Sequence, residues 1–186
     1  MAAWSLLAFD AAATIDAVVI AAPPEDVGRL GALAAHVVPG GDSRSESVAR
    51  ALAETPEDVE VVAVHDAARP LVTAELLDRC VSQLERWGCD GVVAAARTVD
   101  TIKEADAGGR VLATLERSRL WSVQTPQAFQ ARSLARALAD GDLERASDDA
   151  QLVEAAGGDV RIVEAPRQNF KVTTAHDLRV AASLLA

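Results

Sequence analysis

Short apolar, β-branched runs closed by polar or glycine-rich stretches alternate along the chain with segments whose apolar positions recur every three or four residues. The first kind reads as buried strands and the second as amphipathic helices. Strands are predicted at 17–21 (Ala-Val-Val-Ile-Ala), 37–38, 59–64 (Val-Glu-Val-Val-Ala-Val), 91–96 and 160–163. An alanine-rich helix without a cap is predicted over 3–12, and Pro23-Pro24 with Glu25 and Asp26 opens a second that runs to about residue 35, since proline and acid suit a first turn. Ser43 and Glu46 have the spacing of a capping box and start a helix to about residue 53. In the next helix Thr73 is the cap, Leu76, Leu77, Cys80, Val81, Leu84 and Trp87 trace one apolar face, and Gly88 is the stop. Further helices are predicted at 128–139 and, capped by Ser147, at 147–156. A last one is capped by Thr174 and Asp177, with Leu178, Ala181, Ala182 and Leu185 facing inward.

The β, α, β, α, β, α, β order up to residue 96 predicts an α/β domain with a mostly parallel sheet and right-handed crossovers. Residues 98–121 break that rhythm. Two alternating segments, 100–104 and 110–115, flank Asp106-Ala107-Gly108-Gly109 and read as a hairpin. A two-stranded ribbon is not stable alone in water, so it lies on its own domain or is buried as an arm against a second copy, the reading favoured here. The length of 186 residues accommodates one domain. No run approaches the roughly 20 apolar residues of a membrane helix, and the first 13 residues carry no positive charge of the kind a signal peptide needs. These features place the chain in the cytoplasm, away from membranes.

A net charge of −10 argues against nucleic-acid binding, while leaving room for a small anionic substrate where cations are gathered. Of 18 basic residues only Lys103 and Lys171 are lysines. Either they fell there by chance, or lysine is kept where a phosphate needs one compact ammonium. Cys80 and Cys89 have neither a zinc spacing nor a disulfide framework, and no metal-ligating cluster is evident. Neither a P-loop nor a dinucleotide fingerprint occurs. The strand 59–64 discharges into His65-Asp66-Ala67-Ala68-Arg69-Pro70, and the carboxyl edge of an open α/β sheet is where ligands bind. The plainer reading of that loop is a turn in which Asp66 pairs with Arg69 and His65 hydrogen-bonds the backbone.

Six motifs in order, Gly40-Gly41-Asp42-Ser43-Arg44-Ser45-Glu46-Ser47-Val48, His65 to Pro70, Asp100-Thr101-Ile102-Lys103, Leu120-Trp121 to Gln124-Thr125-Pro126-Gln127, Ser147-Asp148-Asp149-Ala150 and Asn169-Phe170-Lys171-Val172-Thr173, resemble those of the 2-C-methyl-D-erythritol 4-phosphate cytidylyltransferases of the non-mevalonate isoprenoid pathway. The resemblance implies a Rossmann-like nucleotide-diphospho-sugar-transferase fold and a homodimer joined by arms at 98–121. It also implies Mg²⁺-dependent transfer of CMP from CTP to a sugar phosphate. On that pattern Gly41, Asp42 and Ser47 contact the cytidine, with Ala67 near the ribose. Asp66, Arg69, Thr101, Arg117, Thr125 and Ser147 hold methylerythritol phosphate, some of them from the partner. Lys171 lies between the two anions, where fixed positive charge offsets phosphate repulsion.

The chain departs from the family at its start, where members have a strand and a Gly-x-Gly-x-Arg loop with a following Pro-Lys. Met1 to Leu6 match the helix after those elements. The expectation is therefore a single domain over 1–186 that lacks the family's first strand and is N-terminally truncated. Its neighbouring strands are short of backbone partners, and its turnover is impaired. Two alternatives stand beside the enzyme: a non-catalytic sugar-phosphate-binding or partner protein of the same descent, and a cytidylyltransferase for another polyol phosphate.

Overall fold

The computed structural model describes residues 1–32 and 36–185. Helix α1 (Ala2–Ala11) leads to strand β1 (Ile20–Ala22), a 3₁₀ turn at Pro24–Asp26 and the single turn of α2 (Val27–Leu30). The helix expected to reach residue 35 is thus short, and its last predicted positions lie outside the described residues. Strand β2 (Val37–Pro39), helix α3 (Arg44–Leu52), strand β3 (Val61–Val64) and helix α4 (Ala74–Trp87) follow. The second half comprises β4 (Gly91–Arg97), the hairpin β5 (Lys103–Ala105) and β6 (Val111–Thr114), β7 (Trp121–Gln130), α5 (Ala131–Asp140), α6 (Asp149–Ala155), β8 (Val160–Glu164) and α7 (Ala175–Leu185).

The α/β class is as expected, and the sheet is mostly parallel as the pattern predicts, made mixed by one antiparallel strand. Its order is β3-β7-β4-β8, with β7 antiparallel to both neighbours and β8 parallel to β4. The cause is β7, whose carboxyl half falls where the apolar pattern predicts the start of a helix. Pro126 argues against a central strand. It is accommodated because the β4–β7 register jumps from Val93↔Gln127 to Ala95↔Val123, so residues 124–126 bulge opposite Ala94 and the missing N–H of proline breaks no ladder bond there. Beyond the bulge, Ala128 and Phe129 are fully buried.

Helices cover both faces of that sheet as their patterns dictate. The apolar face of α4 packs Leu76, Cys80, Val81 and Leu84 on Val92, Ala94 and Ala128. Thr73 Oγ1 accepts from Leu76 N at 3.3 Å, and Gly88 closes the helix at φ 61°, a left-handed conformation that glycine adopts without a Cβ clash. On the other face α5 and α6 bring Leu134, Ala137, Leu152 and Val153 onto Val93 and Phe129. Two expectations at helix ends are corrected. The cap of α6 is Asp148, whose side chain accepts from Gln151 N at 2.9 Å, because the exposed Ser147 instead bonds the Gln151 side chain. In α7 only Ala181 is buried while Leu178 is half exposed, since the helix rests on the domain by one small residue.

Strands β1 and β2 pair with each other, parallel and apart from the main sheet. Between β1 and the β3 edge lies a cavity of about 1010 Å³, lined by residues 17–21 and 59–67 and by parts of α1 and α3. Among the described residues β1 has a ladder partner only in β2, and β3 only in β7. Each of the two strands beside the cavity is therefore paired on one side alone among the described residues. The hairpin projects with Val111 and Leu112 more than half exposed. Its turn is held by Asp106 Oδ1, which accepts from the amides of Gly108 and Arg110.

Candidate functional site

Strand β3 ends at Val64, and the loop that begins with His65 is fixed by neighbours remote in sequence. The Asp66 amide donates to Thr125 Oγ1 at 3.0 Å, and the Thr125 hydroxyl lies 2.9 Å from His65 Nδ1. His65 Nε2 is 3.2 Å from the Arg69 carbonyl, the ring-to-backbone bond expected. With Nε2 donating to that carbonyl, Nδ1 accepts from Thr125, and burial holds the ring neutral by depressing its pKa to about 4. Thr125 itself is presented by the β7 bulge and is buried. Its hydroxyl therefore spends its hydrogen and one lone pair on the loop.

Asp66 is the charged centre. Its Oδ1 is 3.1 Å from Arg44 Nε, and its Oδ2 is 3.2 Å from Lys171 Nζ and 3.8 Å from Arg69 Nε. Burial alone raises its pKa, but Arg44 and Lys171 outweigh burial and hold the carboxyl below the usual range. The local Asp66–Arg69 pair is the loosest of the three. Arg69 instead donates from Nη1 to the Asn169 carbonyl at 3.0 Å. Asn169 is almost wholly buried, and its amide donates to Gln124 Oε1 at 2.9 Å and to the Thr125 carbonyl at 2.8 Å. The Val172 amide donates to the Ala68 carbonyl at 2.8 Å, so the Lys171 segment is tied directly to the loop.

The glycine turn forms the other wall. Gly41 lies so close to α3 that a Cβ there would come within 2.3 Å of Glu46 Cβ, which is why the position takes glycine. The predicted capping box is present, with Ser43 Oγ accepting from Glu46 N and Glu46 Oε2 accepting from Ser43 N. Ser47 Oγ accepts from Gly41 N and donates to the Ser43 carbonyl, each at 3.0 Å. Asp42 is exposed, and its amide donates to Glu46 Oε2. Ser47 and the exposed Ala67 line the cavity beside Arg44 and Asp66.

Of the residues singled out in the sequence, Asp66, Arg69, Thr125 and Lys171 thus meet in one network, and Gly41, Asp42, Ser47 and Ala67 border it. Ser147 is exposed two positions before Asp149, which joins the network. Thr101 and Arg117 belong to the exposed arm, and the Arg117 guanidinium donates to the Val99 carbonyl at 2.7 Å. Sequence reasoning assigns no role in the site to Arg44, Asp149, His65 or Asn169. Arg44 Nη1 is 2.5 Å from Oδ2 of the fully buried Asp149. No local pattern joins residues 105 positions apart. An acid at a helix start and an arginine after a serine cap are the only signals. Among the described residues no group of three or more His, Cys, Asp or Glu side chains is placed to hold a metal ion, and no helix is long and apolar enough to cross a membrane.

A sequence profile described as 2-C-methyl-D-erythritol 4-phosphate cytidylyltransferase matches residues 1–186. Proteins of that name from Synechococcus sp. strain WH7803 and Microcystis aeruginosa strain NIES-843 are each 40% identical to this chain, over alignments covering 99% of it and 85% of each relative. The crystal structure of the Thermus thermophilus protein of the same name superposes with a TM-score of 0.84 at 34% identity, covering 98% of this chain and 87% of that one. A structure from Anaerococcus prevotii DSM 20548, described as a 4-diphosphocytidyl-2C-methyl-D-erythritol synthase, reaches a TM-score of 0.89 at 24% identity, covering 99% of this chain and 85% of that one, and speaks for the Rossmann-like α/β fold alone. With motifs, fold and site geometry in agreement, the chain belongs to the 2-C-methyl-D-erythritol 4-phosphate cytidylyltransferase family.

Proposed function

We propose that this chain binds methylerythritol phosphate and CTP at the Asp66 network and transfers CMP between them. An acceptor phosphate oxygen forms a bond to the α-phosphorus, and the α–β bridging bond breaks to release pyrophosphate. The observation that carries the reading is the convergence of Lys171, Arg69 and Arg44 on Asp66 at the end of β3, in a chain whose net charge is −10. Two anions that approach in line need such fixed positive charge. Asp66, held ionised, accepts from acceptor hydroxyls with Arg69 beside it, and Ser147 contributes from the segment before α6. Gly41, Asp42, Ser47 and Ala67 form the nucleotide wall, and Lys171 lies between the phosphates. Thr125 contributes by fixing the Asp66 amide.

The carboxylates present do not form a metal cage, because Asp66 and Asp149 are committed to Arg44. Mg²⁺ enters this reading only as the CTP complex, chelated by the nucleotide's phosphates. Arg44 is the one cation among the described residues lining the cavity beside the nucleotide wall. The exposed Val111, Leu112 and Ile102 support burial of the arm against a second copy. That contact would deliver Thr101 and Arg117 to the partner's acceptor site. Two free, buried cysteines fit a reducing cytoplasm.

The test is ³¹P NMR of the chain with CTP, Mg²⁺ and 2-C-methyl-D-erythritol 4-phosphate, alongside calorimetric titration of the acceptor. A diphosphodiester resonance and pyrophosphate above the protein-free control support transfer. Acceptor binding without transfer supports the non-catalytic binding protein, and transfer only to another polyol phosphate reassigns the acceptor. Absence of both binding and transfer overturns the reading.

A further inference from the structure

Five formal charges meet at the site. Arg44, Arg69 and Lys171 are positive, and Asp66 and Asp149 are negative, with His65 neutral. The surplus is a single positive charge. Asp149 is fully buried at the first turn of α6, its Oδ2 is taken by Arg44, and its Oδ1 has no hydrogen-bond partner among the described residues. Arg44 starts α3, so its backbone is fixed by the Ser43–Glu46 cap, and its side chain spans from Asp149 to Asp66 Oδ1.

We propose that Arg44 is a positioning residue for anion binding: by bridging buried Asp149 to Asp66 it leaves the charge of Lys171 and Arg69 available to the substrate phosphates without itself touching them. The inference rests on the reading of this site as a phosphate-binding centre and deepens it. Without Arg44, Asp149 loses its only partner among the described residues and Asp66 loses its closest one. Two carboxylates then draw on Lys171 and Arg69, the local surplus falls to zero, and an incoming phosphate has to displace a carboxylate to reach either cation. Removing the Asp149 charge as well restores the surplus of one, although Arg44 is still absent.

That compensation separates a positioning role from direct contact. The affinity of the full chain for 2-C-methyl-D-erythritol 4-phosphate is measured by calorimetry for the wild type, Arg44→Gln, Asp149→Asn and the double variant, with circular dichroism and thermal unfolding as controls of folding. The expectation is a loss of about tenfold or more for Arg44→Gln, and recovery to within about threefold of wild type in Arg44→Gln/Asp149→Asn. A double variant that stays about tenfold weaker than wild type overturns the proposal and makes Arg44 a direct anion ligand. An Arg44→Gln variant that binds as wild type does also overturns it, because Arg44 then has no part in anion binding. Should the single variant fail to fold, the double variant, which buries no unpaired carboxylate, decides alone. A wild type that does not bind the sugar phosphate removes the functional reading itself, and this inference with it.

Discussion

Acid should weaken this fold through one ring. His65 packs on Phe9 with ring centroids 5.6 Å apart, and both ring nitrogens are engaged, by Thr125 and by the Arg69 carbonyl. Burial lowers its pKa from 6.5 to about 4. Between those values the unfolded chain binds a proton that the folded chain refuses. The contribution is therefore complete above pH 6.5 and is lost as the pH falls toward 4. The slope is about 1.4 kcal/mol per pH unit within the window, which amounts to about 2 kcal/mol between pH 7 and pH 5. Urea unfolding followed by tryptophan fluorescence at those two pH values, for wild type and His65→Gln, measures it. Glutamine lowers stability at pH 7 but cannot titrate, so its loss on acidification should be smaller than that of wild type by the stated amount. Asp149, whose pKa burial raises against the pull of Arg44, acts in the opposite sense but equally in both proteins. Equal acid losses in the two proteins would refute the assignment.

Thr125→Val leaves the Asp66 amide and His65 Nδ1 without their partner, which should cost about 2–4 kcal/mol in urea unfolding, whereas Thr125→Ser should stay within about 1 kcal/mol of wild type. Phe129→Ala, at a fully buried position of β7 facing α5 and α6, should cost about 3–5 kcal/mol by the same assay. In hydrogen exchange followed by NMR, the amides of Val92, Val93 and Ala95, in a strand paired on both sides, should exchange at least about 100-fold more slowly than that of Ala21, in a strand paired with β2 alone among the described residues and lining the cavity.

What could be read from the sequence was what is specified locally. Helix α4 was legible because the Thr73 cap, an apolar face of helical period and the Gly88 stop all agree. The loop from His65 to Pro70 was legible as a site because a β-branched strand ends there in charge. Strand β7 was not, since its ladder partners lie far back in the chain, on β3 and β4, and its polar Gln124-Thr125-Pro126 stretch reads as a turn until the bulge opposite Ala94 is seen. Thr125 illustrates the corresponding limit for function. The resemblance places it in the acceptor site, but no local pattern shows that its hydroxyl also ties His65 to the Asp66 amide. Leu178 shows the converse, an apolar residue at an inward-reading helical position that the small footprint of α7 leaves exposed.

The site divides into groups that cannot move and one that can. Arg44 is held by a carboxylate with no exposure at all, and Arg69 by the carbonyl of an almost equally buried asparagine. Withdrawing either would strand a buried polar group at a cost of about 1–3 kcal/mol or more. Lys171 differs. Its backbone is pinned through Val172 to Ala68, yet its side chain is 46% exposed and its only ion pair among the described residues is with Asp66. An ion pair so wet is worth about 0–1 kcal/mol, less than an ammonium gains from a phosphate dianion held at the same distance. Asp66 can release it because Arg44 keeps that carboxylate charged and partnered. On the proposed reading, Lys171 is thus the group free to follow charge as it shifts from acceptor to pyrophosphate, and the rigid pair beneath it is what makes that freedom inexpensive.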